Sequence, residues 1–224
     1  MLIWNGQYQY LLFLIFVPVF VLVIFVGVSF ASEESALPVK VKPKALQKGD
    51  TIGVIAPGSP MNRSQLEKGI QYLQNQGFQV LVGKNVYHQS DGFQAGNDAE
   101  RAADLNEMFA NPEVDAIFCA RGGYGSIRLL EKLDFELVRQ NPKIIIGYSD
   151  ITSLITAIYL KTGLVTFHGP MVASELYRDD VDFYNAPNML KALTTPEPIG
   201  SVTNPRGQLE LSFLRKGRGQ GELI

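Results

Sequence analysis

From residue 46 onward, short apolar runs alternate with amphipathic stretches, and glycine, proline or asparagine marks nearly every switch. The runs Thr51-Ile52-Gly53-Val54-Ile55-Ala56, 79–82, 114–120, 143–147 and 164–167 have the length and β-branched content of strands. Between the first two, Leu66, Ile70 and Leu73 fall on one helical face, with Ser64 placed to cap the helix and Asn75-Gln76-Gly77 to end it. A second helix is predicted over 98–109, stopping before Asn111-Pro112. A third follows from Ile127, Leu129, Leu130 and Leu133, and a fourth begins after Thr152. Strands apolar on both faces, alternating with helices, predict an α/β domain: a parallel sheet with helices on both faces. Ligands of such sheets bind beyond the carboxyl ends of the strands. Pro57-Gly58-Ser59, Arg121-Gly122-Gly123, Ser149 and His168 all fall at such ends.

The front of the chain follows a different pattern. Residues 10–31 are almost wholly apolar, broken only by Pro18, and about twenty such residues suffice to cross a bilayer as a helix. Ser29-Phe30-Ala31 has the small-x-small form of a signal-peptidase site. An apolar amino-terminal helix is therefore expected, with export to, or anchoring on, the periplasmic side of a membrane. Residues 1–10 hold no lysine or arginine, and Lys40, Lys42, Lys44 and Lys48 follow the run, which under the positive-inside rule argues for a cytoplasmic body. The expected division is a signal or anchor over 1–31, a linker rich in proline, lysine and glutamate over 32–45, the α/β domain over 46–186, and a further linker with the start of another domain over 187–224.

Composition removes several function classes. A formal charge of −2 and the lack of a basic stripe with interleaved aromatics exclude a nucleic-acid partner. Cys119 is the only cysteine, so neither an intrachain disulfide nor a thiolate zinc cluster can form, and its place in an apolar strand predicts a buried thiol. No metal and no cofactor is expected. His88 sits in a polar loop, Asp179-Asp180-Asp182 lacks the glycine and glutamate of a calcium loop, and no Gly-x-Gly-x-x-Gly or Gly-x-x-x-x-Gly-Lys-Ser/Thr run occurs.

Candidate chemistry concentrates at two strand ends. The run Lys143-Ile144-Ile145-Ile146-Gly147 stops abruptly in Tyr148-Ser149-Asp150-Ile151-Thr152, as when a strand delivers a nucleophilic serine into a tight turn. Ser149 is the candidate nucleophile, and the Asp150 amide points where an oxyanion would form. Ile151 stands where a Gly-x-Ser-x-Gly elbow has its second glycine, and the alternative is that Ser149-Asp150 caps the next helix. Upstream, Arg121-Gly122-Gly123-Tyr124-Gly125-Ser126 joins a strand to a predicted helix. Adjacent glycines let backbone amides approach a ligand, and Arg121 offers a bidentate fork for a carboxylate.

Together, residues 48–57, Ala120-Arg121-Gly122-Gly123-Tyr124-Gly125, Gly147-Tyr148-Ser149-Asp150-Ile151-Thr152 and His168-Gly169-Pro170 resemble the LD-carboxypeptidases, serine peptidases that include the microcin-immunity enzymes. The resemblance runs from about residue 46 to the carboxyl end. It implies flavodoxin-like or class I glutamine amidotransferase-like layers, Ser149 as nucleophile, and Asp150 and Gly123 as oxyanion-hole amides. Arg121, Gly122 and Tyr124 would meet the substrate, a murein-derived peptide ending in a D-amino acid. Members of the family are often homodimeric. The family's base and orienting group, a glutamate and a histidine, come from a second domain. Glu222 lies too early to be that glutamate, so an impaired amino-terminal half is expected, with His168 as the internal substitute to test. A non-catalytic peptide-binding module is the alternative, and a flavodoxin-like nucleotide binder is a further one resting on fold analogy alone.

Overall fold

Five apolar runs pair into one all-parallel sheet in the computed structural model, which describes residues 38–90, 93–180, 184–201 and 217. The strands are β1 (Thr51–Ile55), β2 (Gln79–Val82), β3 (Ala116–Cys119), β4 (Ile144–Gly147) and β5 (Phe167–His168), in the order β2-β1-β3-β4-β5. The helices are α1 (Arg63–Asn75), α2 (Asp98–Ala110), α3 (Phe135–Gln140), α4 (Ile151–Thr162) and α5 (Asn185–Thr194).

Alternation along the strands sorts the side chains into two cores. Ile52, Val54, Ala116, Phe118, Ile144 and Ile146 meet Leu66, Tyr72 and Leu73 of α1 and Ala186, Met189 and Leu193 of α5. On the other face Ile55, Ile117, Cys119 and Ile145 meet Leu105, Met108 and Phe109 of α2, Val138 of α3, and Ile151, Leu154 and Ile158 of α4. Each fully buried Ile, Leu or Phe contributes roughly 1.5–3 kcal/mol relative to exposure. Gly53 is small because α2 leaves no room: a Cβ there would lie 2.6 Å from Met108 Sδ.

The order places consecutive crossovers on opposite sides of β1, so the switch point lies between the carboxyl ends of β1 and β3. The predicted parallel sheet with helices on both faces is thus what the chain forms.

Several boundaries differ from expectation. Asn62, not Ser64, caps α1, its Oδ1 accepting the Gln65 N–H at 3.2 Å. The helix predicted from Ile127 is only a 3-10 turn, Ser126–Leu129, because Asp134 restarts the chain: its Oδ1 accepts the N–H groups of Glu136 and Leu137 and begins α3. The last strand is Phe167–His168 rather than 164–167, since Leu164 forms an isolated bridge with Val41, and Val41 and Val165 exchange further bonds with Gly163 and Val41 respectively.

That bridge also draws part of the expected linker into the domain, whose unit begins at Pro38. Likewise α5 runs through the expected boundary at residue 187, because Ala186, Met189 and Leu193 are core residues and the Leu193 carbonyl accepts the Leu46 N–H at 2.8 Å. The apolar segment 10–31, read as signal or anchor, lies outside the described residues. Among the described residues no helix is long and apolar enough to cross a membrane.

Candidate active site

The turn between β4 and α4 holds Tyr148, Ser149 and Asp150. Gly147 closes it tightly, since a Cβ there would lie 2.7 Å from Ile151 Cγ2. Ser149 sits at φ 60°, alone among the described non-glycine residues in having positive φ. Holding an L-residue in that region costs about 1–3 kcal/mol, and it persists where neighbouring contacts over-determine it. Here the Tyr148 carbonyl accepts the Ile151 N–H at 3.2 Å and the Ser149 carbonyl accepts the Thr152 N–H at 3.0 Å. Ser149 is exposed at the sheet's carboxyl edge.

The helix-capping alternative does not describe this turn. Asp150 occupies the N-cap position but makes no side-chain cap bond. Its Oδ2 instead accepts the Ser126 N–H at 3.0 Å, while Ser126 Oγ donates to the Asp150 carbonyl at 2.6 Å.

The glycine loop backs onto this elbow. A Cβ on Gly122 would lie 3.4 Å from both Asp150 N and Ser149 Cβ. The Gly122 carbonyl accepts the Ser59 N–H at 2.8 Å, and Ser59 Oγ accepts the Tyr124 N–H at 3.1 Å. Between them Gly123 is at φ +100°, where a Cβ would also lie 2.3 Å from Ser59 Oγ. Gly58 is equally constrained, its notional Cβ falling 2.4 Å from the Gly122 carbonyl oxygen. The N–H groups of Asp150 and Gly123 donate to no other described residue. The free Asp150 amide adjoins the exposed serine, and the free Gly123 amide follows the glycine that abuts it.

Beneath the loops lies a cation that no sequence motif marks. Arg101 of α2 is 2% exposed. Its Nη1 donates to the carbonyls of Pro57 and of Gly125, the latter at 3.0 Å, and so joins the loops after β1 and β3. Its Nη2 meets Asp98 Oδ1 at 2.5 Å, and Asp98 also takes Arg128. The hydrogen bond from Arg128, with both guanidinium charges, holds the Asp98 carboxyl below its ordinary range.

On the other side of the elbow Tyr148 donates to Glu175 Oε1 at 2.6 Å, and Glu175 Oε2 accepts the Met171 N–H at 2.9 Å. That carboxylate raises the Tyr148 hydroxyl to about 12. His168 is exposed on β5, beside β4, with its ring edge-on to Tyr148 at 5.9 Å between centroids. Arg121 and Tyr124 are exposed on the rim, and Arg121 Nη1 donates to the Pro60 carbonyl at 3.0 Å. His88 lies on another loop, 3.3 Å from Glu100, and burial pushes the Cys119 thiol well above its ordinary value.

A glycine loop at the switch point and a serine elbow on the neighbouring strand β4 mark the carboxyl edge of this parallel α/β sheet as its candidate site. The LD-carboxypeptidase N-terminal domain family matches residues 52–169, and the chain belongs to that family. It is 45% identical over 183 residues to the probable murein peptide carboxypeptidase of Bacillus subtilis (strain 168), covering 82% of this chain and 56% of the relative. With the murein tetrapeptide carboxypeptidase of Pseudomonas aeruginosa it shares 35% identity over 121 residues, 54% of this chain and 39% of that protein. The solved apo structure of the microcin C7 self-immunity protein MccF superposes with a TM-score of 0.65 at 35% identity, covering 72% of this chain and 48% of that one. The chain thus spans about half the length of the curated relatives it matches.

Proposed function

We propose that this chain carries the nucleophile and oxyanion hole of a serine carboxypeptidase that removes a terminal D-amino acid from murein peptides. The observation that carries the reading is Ser149, held at φ 60° and exposed next to the uncommitted amide of Asp150, with Gly122 against it and the uncommitted amide of Gly123 one residue further on. Ser149 Oγ would add to the carbonyl carbon of the last peptide bond as a general base takes its proton. The carbonyl oxygen, now negative, would sit between the two amides, where preorganised donors in a water-poor site stabilise it strongly. Collapse would expel the terminal amino acid, its nitrogen taking a proton from the conjugate acid of the base. Water would then release the acylated peptide by the same route.

Among the described residues no carboxylate or imidazole accepts a hydrogen bond from Ser149 Oγ. The base is therefore assigned outside them, in keeping with the glutamate and histidine that the family resemblance implies. Without it the oxyanion hole and binding leave a small residual rate, several orders of magnitude below a complete site.

The test is release of terminal D-alanine from L-Ala-γ-D-Glu-diaminopimelate-D-Ala by the purified chain, alone and mixed with the carboxyl-terminal half of a relative, each beside Ser149→Ala. Turnover that vanishes in the variant supports the reading. Tight binding of the tetrapeptide with no turnover, alone or in the mixture, turns it toward a binding module. MccF has been solved with aspartyl sulfamoyl adenosine, so an aminoacyl-nucleotide analogue is the comparison ligand.

A further inference from the structure

Resting on that proposed function, we infer that a cleft beside the glycine loop, walled by Arg63 and Tyr87, receives a carboxylate of the substrate on the amino side of the scissile bond. The cleft has a volume of about 280 Å³ and is lined by Pro60, Met61, Asn62, Arg63, Tyr87 and His88, among others, none of them acidic. The Arg63 guanidinium lies 4.1 Å above the Tyr87 ring, a stacking that fixes its plane while leaving its N–H fork open. Among the described residues no carboxylate pairs with it, whereas Arg101, Arg128 and Arg139 each have one. A held but unpaired guanidinium presents the geometry that a carboxylate matches with two parallel hydrogen bonds.

The cleft is joined to the nucleophile's surroundings through the loop after β1. Pro60 forms part of its wall, and the Pro60 carbonyl is held by Arg121 at 3.0 Å. Next to it Ser59 bonds Gly122 and Tyr124, and Gly122 abuts Ser149. The cleft belongs to the loops after β1 and β2, whereas Ser149 follows β4. Neighbouring strands are about 4.8 Å apart, which sets the two roughly 10–15 Å apart along the rim. An extended peptide advances about 3.3–3.6 Å per residue and a γ-linked D-Glu makes a longer step, so diaminopimelate and D-Glu with its α-carboxylate reach the near end of that range. A carboxypeptidase substrate has a single residue beyond the scissile bond, too short to reach. Whatever occupies the cleft must therefore lie on the acyl side, and the open guanidinium selects a carboxylate there.

The experiment is calorimetric titration of the full chain carrying Ser149→Ala, which prevents turnover, with L-Ala-γ-D-Glu-diaminopimelate-D-Ala and with the same peptide amidated at the D-Glu α-carboxylate. Arg63→Gln is compared with the parent, and Arg63→Lys serves as the conservative variant. Amidation should weaken binding to the parent about tenfold, and Arg63→Gln should lose the same factor and become indifferent to amidation, with Lys intermediate. Unchanged binding in Arg63→Gln, or an amidation effect that survives it, overturns the assignment. Absence of binding by the parent overturns it as well. The proposed chemistry is judged separately, by D-alanine release from the Ser149 chain, so the two ideas can fail independently.

Discussion

Ser126 and Asp150 hold each other twice: the Ser126 N–H donates to Asp150 Oδ2 at 3.0 Å, and Ser126 Oγ donates to the Asp150 carbonyl at 2.6 Å. The pair joins the loop after β3 to the turn after β4 and so sets where the Asp150 amide points. Removing the carboxylate leaves a buried donor on Ser126, which is itself fully buried. Asp150→Ala is expected to destabilise the fold by about 1–3 kcal/mol in urea unfolding, with Asp150→Asn losing less than half of that because an amide oxygen still accepts. Equal losses in the two variants would show that the carboxylate is not the acceptor that matters.

Ser149 offers a sharper test, because function and stability should move in opposite directions. Glycine tolerates φ 60° without a Cβ penalty. Ser149→Gly is expected to stabilise the domain by about 1 kcal/mol while abolishing any D-alanine release. Ser149→Ala removes the hydroxyl but keeps the strain, and should leave the urea midpoint within experimental error of the parent. A destabilised glycine variant would mean the turn is not strained.

Much of this site was legible because it is built from backbone. The abrupt end of the apolar run at Gly147, and the doublet Gly122-Gly123, announce close approach and unusual φ whatever the tertiary context. The side chains that act at long sequence separation carry no such local mark. Arg101 falls in the charged first turn of α2, and no motif marks it. Only the parallel topology brings α2 beneath the loops after β1 and β3, where Arg101 becomes buried. Glu175 lies outside every periodic element, and its link to Tyr148 spans two loops. The segment 187–194, expected as part of a linker with the start of another domain, continues a helix that Pro187 does not break, since proline is tolerated in a first helical turn, where its missing N–H has no partner to lose.

The glycine loop predicts its own sensitivity. At Gly123 both a φ of +100° and a Cβ position 2.3 Å from Ser59 Oγ oppose any side chain. Gly123→Ala should cost about 1–3 kcal/mol and displace the loop, lowering turnover. Adding Ser59→Gly should restore part of the stability by relieving the clash, but not the part due to φ. Differential scanning fluorimetry of the parent, Gly123→Ala and the double variant separates the contributions.

Tyr148 supplies an alkaline signature. Its bond to Glu175 raises its hydroxyl from the ordinary 10.0 to about 12 in the folded chain. Between these values the unfolded chain has already released the proton that the native chain keeps. Stability should therefore be fully present below about pH 10 and fall as pH rises toward 12. Tyr148→Phe should flatten that part of the profile, measured by urea midpoints across the interval. Persistence of the same slope in the variant would assign it to other groups.

Arg101 is expected to be the most costly single change near the site. Its removal strands the carbonyls of Pro57 and Gly125 and takes a buried partner from Asp98, although Arg128 still pairs with that carboxylate. Breaking such a buried cation network by truncation costs about 3–5 kcal/mol, so Arg101→Ala should unfold at much lower urea than the parent. Arg101→Lys keeps the charge but lacks the planar fork needed to reach both carbonyls and Asp98 together, and should recover only part of the loss. The informative readout is local. If Arg101 joins the two loops, the Tyr124 N–H, bonded to Ser59 Oγ across the same junction, should exchange with solvent faster in Arg101→Lys than amides in β3, which lie in the sheet's centre. Uniform acceleration of both would instead indicate that Arg101 supports the fold as a whole, without a special hold on the loops.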